Sequence, residues 1–203
     1  MRERKSSEIL AAARELFLRD GFNATSIDAI ASTAGVSKAT VYSNFADKNA
    51  LLVALLDAVT TEATGILRRT TADLEAEGDL RARFLAVGTA LVSGVLRPEV
   101  LSLRRLAIAQ ASAFPDAVTA YWRRGPAATV ELLTSHFERM REAGELAVPD
   151  AGEAAAQFAY ALVGPLQDRA LLAPSEAAPT ASTIASHVAS TVDTFLRAHA
   201  VAS

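Results

Sequence analysis

The chain has 203 residues, 51% of them hydrophobic, a formal charge of −3 and no cysteine. That length allows one or two domains with a substantial core, and the missing thiols exclude disulfides, thiolate metal sites and cysteine nucleophiles, as suits a reducing cytosol. Glu8 and Glu15 interrupt the N-terminal apolar pattern and the apolar run 50–56 stops at Asp57, so neither a secretory segment nor a membrane span is expected and the chain is predicted to be soluble and cytoplasmic.

From residue 6 to 20, Ile9, Leu10, Ala13, Leu16 and Phe17 make one helical stripe, with Gly21 as its stop. Ahead of it Arg2, Arg4 and Lys5 form a short basic arm that either reaches a phosphate or minor groove or frays. Ile27, Ile30, Ala31 and Ala34 fall at i, i+3, i+4 and i+7. They predict a second, short helix with Thr25 or Ser26 as N-cap and Asp28 in its first turn, where an anion suits the macrodipole. Gly35 stands where the chain must leave that helix with positive φ, Val36 plugs the turn, and Ser37 can cap a third helix through Thr40, Val41 and Tyr42. Two short helices joined by a tight, glycine-bearing turn are a helix-turn-helix. Ala31 is small where the two axes would approach most closely.

The third helix would be the reader. Its outward side chains, Lys38, Thr40, Tyr42, Ser43 and Asn44, suit a major groove about 12 Å wide, while Val41 and Phe45 face inward. Asp47 then caps a long helix from 48 to about 74, with Leu51, Leu52, Leu55, Leu56 and Val59 apolar and Gly65 a weak point. Lys48 in its first turn opposes the macrodipole, a conflict that a nearby phosphate would resolve.

At these residues the chain resembles the TetR family of bacterial one-component regulators. Thr25, Ile27, Ile30, Ala31, Ala34-Gly35-Val36-Ser37, Thr40, Tyr42, Phe45, Lys48 and Leu51 fall where the family pattern places such residues, including its Tyr-x-x-Phe-x-x-Lys-x-x-Leu ending. The resemblance implies that Thr25, Tyr42 and Lys48 contact phosphates and that Lys38, Ala39, Thr40 and Ser43 face bases. Ser37 and Asn44 complete the expected DNA-binding set. The alternative for Tyr42 and Phe45 is packing within the small domain.

Helical patterns continue over 80–96, 99–114, 116–124, 126–143, 150–172 and 182–200, punctuated by Pro98, Pro115, Gly144 and an Ala-Pro segment at 173–179. The prediction is an all-α chain: a helix-turn-helix DNA-binding domain over 1–47, joined by the long helix to a helical ligand-binding and dimerisation domain over 48–203. The stretch 103–144, with Arg104-Arg105-Leu106-Ala107-Ile108-Ala109, Phe114-Pro115 and Gly144-Glu145-Leu146, also resembles the C-terminal domain of an AcrR-like subgroup.

In such a family the middle helices enclose a cavity, which here would be lined by Phe84, Val87, Leu91, Leu103, Ala107, Gln110, Val130, Phe137 and Met140. The alternative is that these side chains fill the space themselves as core. One of Arg104 and Arg105 entering a cavity would favour an anionic ligand, and Tyr121, Trp122 and His136 are further polar candidates. Phe158, Leu162, Leu166, Ile184, Val188, Val192 and Phe195 on the last two helices are the expected dimer interface by family analogy, with intramolecular core as the alternative.

Function argues for pairing independently. One short recognition helix reads too few bases for genomic specificity, whereas a two-fold dimer reads two half-sites about 34–36 Å apart. The expected function is a one-component repressor that binds a palindromic duplex operator as a homodimer and is released by a small, largely apolar effector. No membrane partner, cofactor or metal is expected. His136, His187 and His199 lack metal-ligand spacing, and the sequence has neither a Gly-rich phosphate loop nor a nucleophile elbow, so no enzyme is predicted. The charge is divided in the direction DNA binding requires: residues 1–50 carry seven Lys or Arg against six Asp or Glu, the remainder thirteen against seventeen.

Overall fold

A computed structural model of the chain describes residues 2–71, 74, 78–173, 175 and 177–201. The side chains at 2, 3, 59, 62–64, 66, 67, 69 and 70, those of Arg2 in the basic arm and Val59 in the long-helix stripe among them, lie outside the description. The helices are α1 (Arg2–Arg19), α2 (Ile27–Thr33), α3 (Lys38–Asn44), α4 (Lys48–Thr71), α5 (Leu80–Val95), α6 (Pro98–Gln110), α7 (Pro115–Trp122), α8 (Ala128–Glu142), α9 (Ala151–Leu172) and α10 (Ala181–His199). Among the described residues there is no β-strand, only one antiparallel bridge between Leu146 and Ala200. The all-α expectation holds.

Between α7 and α8 the chain does not break at Pro126. It widens into a π turn over Arg123–Ala127 that contains this proline. A proline cannot donate to the helical ladder, and a wider turn lets the backbone continue past the missing donor.

The chain divides into two compact units, Met1–Thr60 with Ser102–Tyr121, and Thr61–Leu101 with Trp122–Ser203. The division falls inside α4 and α6 rather than at residue 47. The reason is apolar packing: Leu51, Leu52, Leu55 and Leu56 of α4 and Leu103, Leu106 and Ala107 of α6 complete one core with Ile9, Leu16, Phe17, Phe22, Ile30 and Val41. Three short helices alone would leave those stripes wet, at about 25 cal/mol per Å² of apolar surface.

The second unit is built on α5, α8, α9 and α10, which pack on one another. At its centre Phe84, Phe137, Phe158 and Phe195 all meet, with ring centroids between 4.8 Å and 5.9 Å apart. Such ring pairs add about 0.5–1.5 kcal/mol each beyond the area they bury. Helix α5 lies tight against its neighbours at Gly88, where an added Cβ would stand 2.9 Å from Val188 Cγ1 and 3.3 Å from Leu162 Cδ2.

The end of the chain is held by backbone. Gly144, at φ 76°, closes α8 as the left-handed residue of a Schellman motif, with Glu145 N–H donating to Met140 O at 2.9 Å. Ala147 N–H then donates to His199 O at 2.7 Å and Val201 N–H to Glu145 O at 3.1 Å. Arg83 braces the same segment by binding the Glu145 carboxylate and the Leu74 carbonyl.

Candidate nucleic-acid interface

Local chemistry sets the two short helices. Ser26 Oγ accepts from Ala29 N–H at 3.1 Å to start α2. Gly35, at φ 64°, ends it, with Val36 N–H donating to Ala31 O at 3.0 Å and Gly35 N–H to Ser32 O at 3.2 Å. This too is a Schellman closure, and any side chain at Gly35 would be strained there. Ser37 Oγ accepts from Thr40 N–H at 3.1 Å to start α3. Val41, with no exposure, and half-buried Phe45 anchor α3 to the core.

The opposite face of α3 is open. Ser37, Lys38, Ala39, Tyr42 and Ser43 are exposed, and Thr40 and Asn44 are half-buried. Its polar groups are satisfied locally: Ser43 Oγ and Asn44 Nδ2 both donate to Thr40 O, at 2.9 Å and 2.8 Å. Lys38 Nζ sits 2.9 Å from Asp28 Oδ1 on α2. That hydrogen bond and the Asp28 charge hold the ammonium's pKa above the ordinary lysine value. Tyr42 is 49% exposed, a large aromatic side chain displayed rather than packed away.

Two of the residues expected to contact phosphate are placed differently. Thr25 is only 4% exposed, and its hydroxyl donates to Gly21 O at 2.8 Å. Lys48 Nζ donates to Phe22 O at 2.8 Å, Thr25 O at 3.0 Å and Asn23 O at 3.3 Å, and lies 4.6 Å from the centre of the Phe22 ring. Three carbonyls match the three ammonium hydrogens. The conflict between a cation and the start of α4 is therefore answered by the protein's own backbone, and Lys48 ties the 21–25 loop to the first turn of that helix. Sequence reasoning missed this, because the partners are main-chain oxygens more than twenty positions upstream. It also passed over Asp28 as a partner of Lys38, although these are the only charged residues between 26 and 46.

The candidate effector side chains fall into both cores. Phe84, Val87, Leu91, Phe137 and Met140 are buried in the second unit, with Val130 packed partly buried against them. Leu103 and Ala107 are buried in the first, and Gln110 is buried at the end of α6. The candidate dimer residues Phe158, Leu162, Leu166, Val188, Val192 and Phe195 are buried within the single chain, Ile184 beside them. Of the large hydrophobic side chains of α9, Tyr160, 57% exposed, and Leu172 are left in the open. The Tyr121 hydroxyl is raised above its ordinary pKa by burial, against the opposing influence of Arg104. His136 Nδ1 accepts from Arg139, His187 Nε2 donates to Leu162 O, and His199 lies against the Phe195 ring.

Residues 9–55 match the family description "Bacterial regulatory proteins, tetR family", and residues 82–201 match "AefR-like transcriptional repressor, C-terminal domain". The chain belongs to the TetR family of transcriptional regulators. Within it the C-terminal match is AefR-like, where the sequence resemblance pointed to an AcrR-like subgroup. An uncharacterized HTH-type transcriptional regulator of Bacillus subtilis, YvkB, is 30% identical over 178 residues, 84% of this chain and 89% of that protein. Among solved structures, a Mesorhizobium loti MAFF303099 protein assigned to the TetR family superposes with a TM-score of 0.92 at 26% identity, covering 99% of each chain. The flavonoid-responsive regulator FrrA superposes with a TM-score of 0.78 at 30% identity, covering 99% of this chain and 100% of that one. This TetR-family protein is thus a DNA-binding transcriptional regulator and not an enzyme. Among its described residues no single helix is long and apolar enough to cross a membrane.

Proposed function

We propose that this TetR-family regulator is a ligand-responsive repressor, binding a palindromic operator as a homodimer and released by a small, largely apolar effector. The observation that carries the DNA half of the reading is the open face of α3, on which Ser37, Lys38, Ala39, Tyr42 and Ser43 are exposed together while Val41 fixes the helix from behind. In this reading Lys38, Thr40, Ser43 and Asn44 contact base edges, and Ser37 and Tyr42 contact the phosphates that set the register. Thr25 and Lys48 hold the loop before α2 in the pose that presents this face. Residues 1–47 serve DNA, and residues 48–203 serve pairing and effector.

A helix of seven residues spans too few base pairs for specificity, so two copies are needed, with half-sites about 34–36 Å apart. Tyr160 makes the outer face of α9 the natural place for them to join. Repression follows the AefR-like description of the C-terminal match, and the likeness to FrrA makes flavonoids the first effector class to try. An effector acts by population shift, which requires different affinity for the DNA-competent and DNA-incompetent states.

The test is selection of bound duplexes from a random pool by the purified protein, followed by titration at two salt concentrations. Enrichment of a palindrome with steep salt dependence, and its release by a flavonoid or another apolar compound, is the expected result. A folded preparation that enriches no sequence overturns the reading.

A further inference from the structure

Across Ile27–Asn44, the two helices and the turn that would approach DNA, the sequence holds one anion and one cation, Asp28 and Lys38. The fold pairs them with each other. Asp28 lies in the first turn of α2 and Lys38 opens α3, and their charged atoms stand 2.9 Å apart across ten positions of sequence. Both side chains remain largely in solvent, Asp28 69% and Lys38 52% exposed. An open pair of this kind adds little to stability. Its place is more telling than its strength, because it neutralises Lys38 on the face that also displays Ser37, Ala39, Tyr42 and Ser43.

We infer that Asp28 is a specificity-determining residue that reads no base itself: it holds Lys38 away from phosphates and leaves the remaining ammonium hydrogens for base acceptors in a cognate major groove. This rests on the DNA-binding reading above. Non-specific affinity for duplex DNA is almost wholly electrostatic, and each phosphate neutralised adds about 0.9 to the salt slope. A free Lys38 would offer that contact to any sequence. A tethered one gains little by exchanging a carboxylate for a phosphate, since one anion replaces another. The O6 and N7 acceptors of a guanine can be met without that exchange, by ammonium hydrogens that the carboxylate does not hold. Weakening the wrong partners raises discrimination as surely as strengthening the right one.

The test compares the full chain with its Asp28→Asn variant on two duplexes, one selected by the wild type from a random pool and the other its scrambled sequence, by fluorescence anisotropy at 50 and 200 mM salt. The variant is expected to bind the scrambled duplex about tenfold more tightly at the lower salt and to steepen its salt slope by about 0.9. The selected duplex gains less, so the ratio between the two falls. In a Lys38→Gln background, Asp28→Asn should change neither affinity. Equal tightening on both duplexes in both backgrounds would mean simple repulsion between Asp28 and phosphate, and would overturn the inference. So would unchanged affinities, or weaker binding of the selected duplex, which would make Asp28 a support for the reading pose of Lys38. A wild type that distinguishes no duplex removes the DNA reading instead.

Discussion

A lysine at the first position of a helix is electrostatically misplaced, and Lys48 shows what such a residue can be kept for. Its ammonium closes on the carbonyls of Phe22, Asn23 and Thr25 and on the Phe22 ring, so its removal strands three acceptors in a partly buried loop. Hydrogen bonds to a charged group contribute about 1.5–3 kcal/mol. Lys48→Met is therefore expected to lower stability by about 2 kcal/mol in denaturant titration while leaving the salt slope of DNA binding unchanged. A phosphate contact would give the reverse pattern: unaltered stability and a slope lower by about 0.9. Tyr42, half exposed on α3, makes the complementary case. Tyr42→Phe should leave the melting curve in place and weaken binding to selected and scrambled duplexes alike, and a loss confined to the selected duplex would assign the hydroxyl to base reading.

The elements most legible in the sequence are those whose ends are written locally. Ser26, Gly35 and Ser37 satisfy or release the backbone within three or four residues, so α2, the turn and α3 follow from spacing alone. Apolar stripes are less informative, because a stripe states that a face is covered and not by what. Phe84 and Phe137, read as cavity lining, and Phe158 and Phe195, read as dimer contacts, meet in a single four-ring cluster. Only the three-dimensional pairing of α5, α8, α9 and α10 brings them together. The same packing depends on Gly88, which sequence reasoning passed over in the middle of α5. Gly88→Ala improves helix propensity by about 1 kcal/mol but sets a methyl 2.9 Å from Val188 Cγ1. The clash should win, with a net loss of about 1–2 kcal/mol in thermal or denaturant unfolding. A stabilised variant would show that α5 and α10 have slack between them.

At the scale of the whole molecule the charge distribution is modest: seven cations against six anions in the first fifty residues, and an excess of four anions beyond. With so little positive charge in each copy, the proposed pairing would supply much of the affinity for DNA. Tyr160→Glu, on the exposed side of α9, is expected to give a folded monomer whose affinity for the selected duplex falls by on the order of 100-fold or more, with mass and binding measured on the same sample. A dimer of unchanged mass would move the interface off that face. The π turn at Arg123–Ala127 lends itself to a different kind of observation. Trp122, directly before it, is the chain's single tryptophan and is 51% exposed. The molecule thus carries its own fluorophore on a backbone segment wound differently from the helices on either side. Any rewinding of that segment should change its emission, so an effector that acts on it would report itself optically in the unmodified protein, with no dye, label or DNA present.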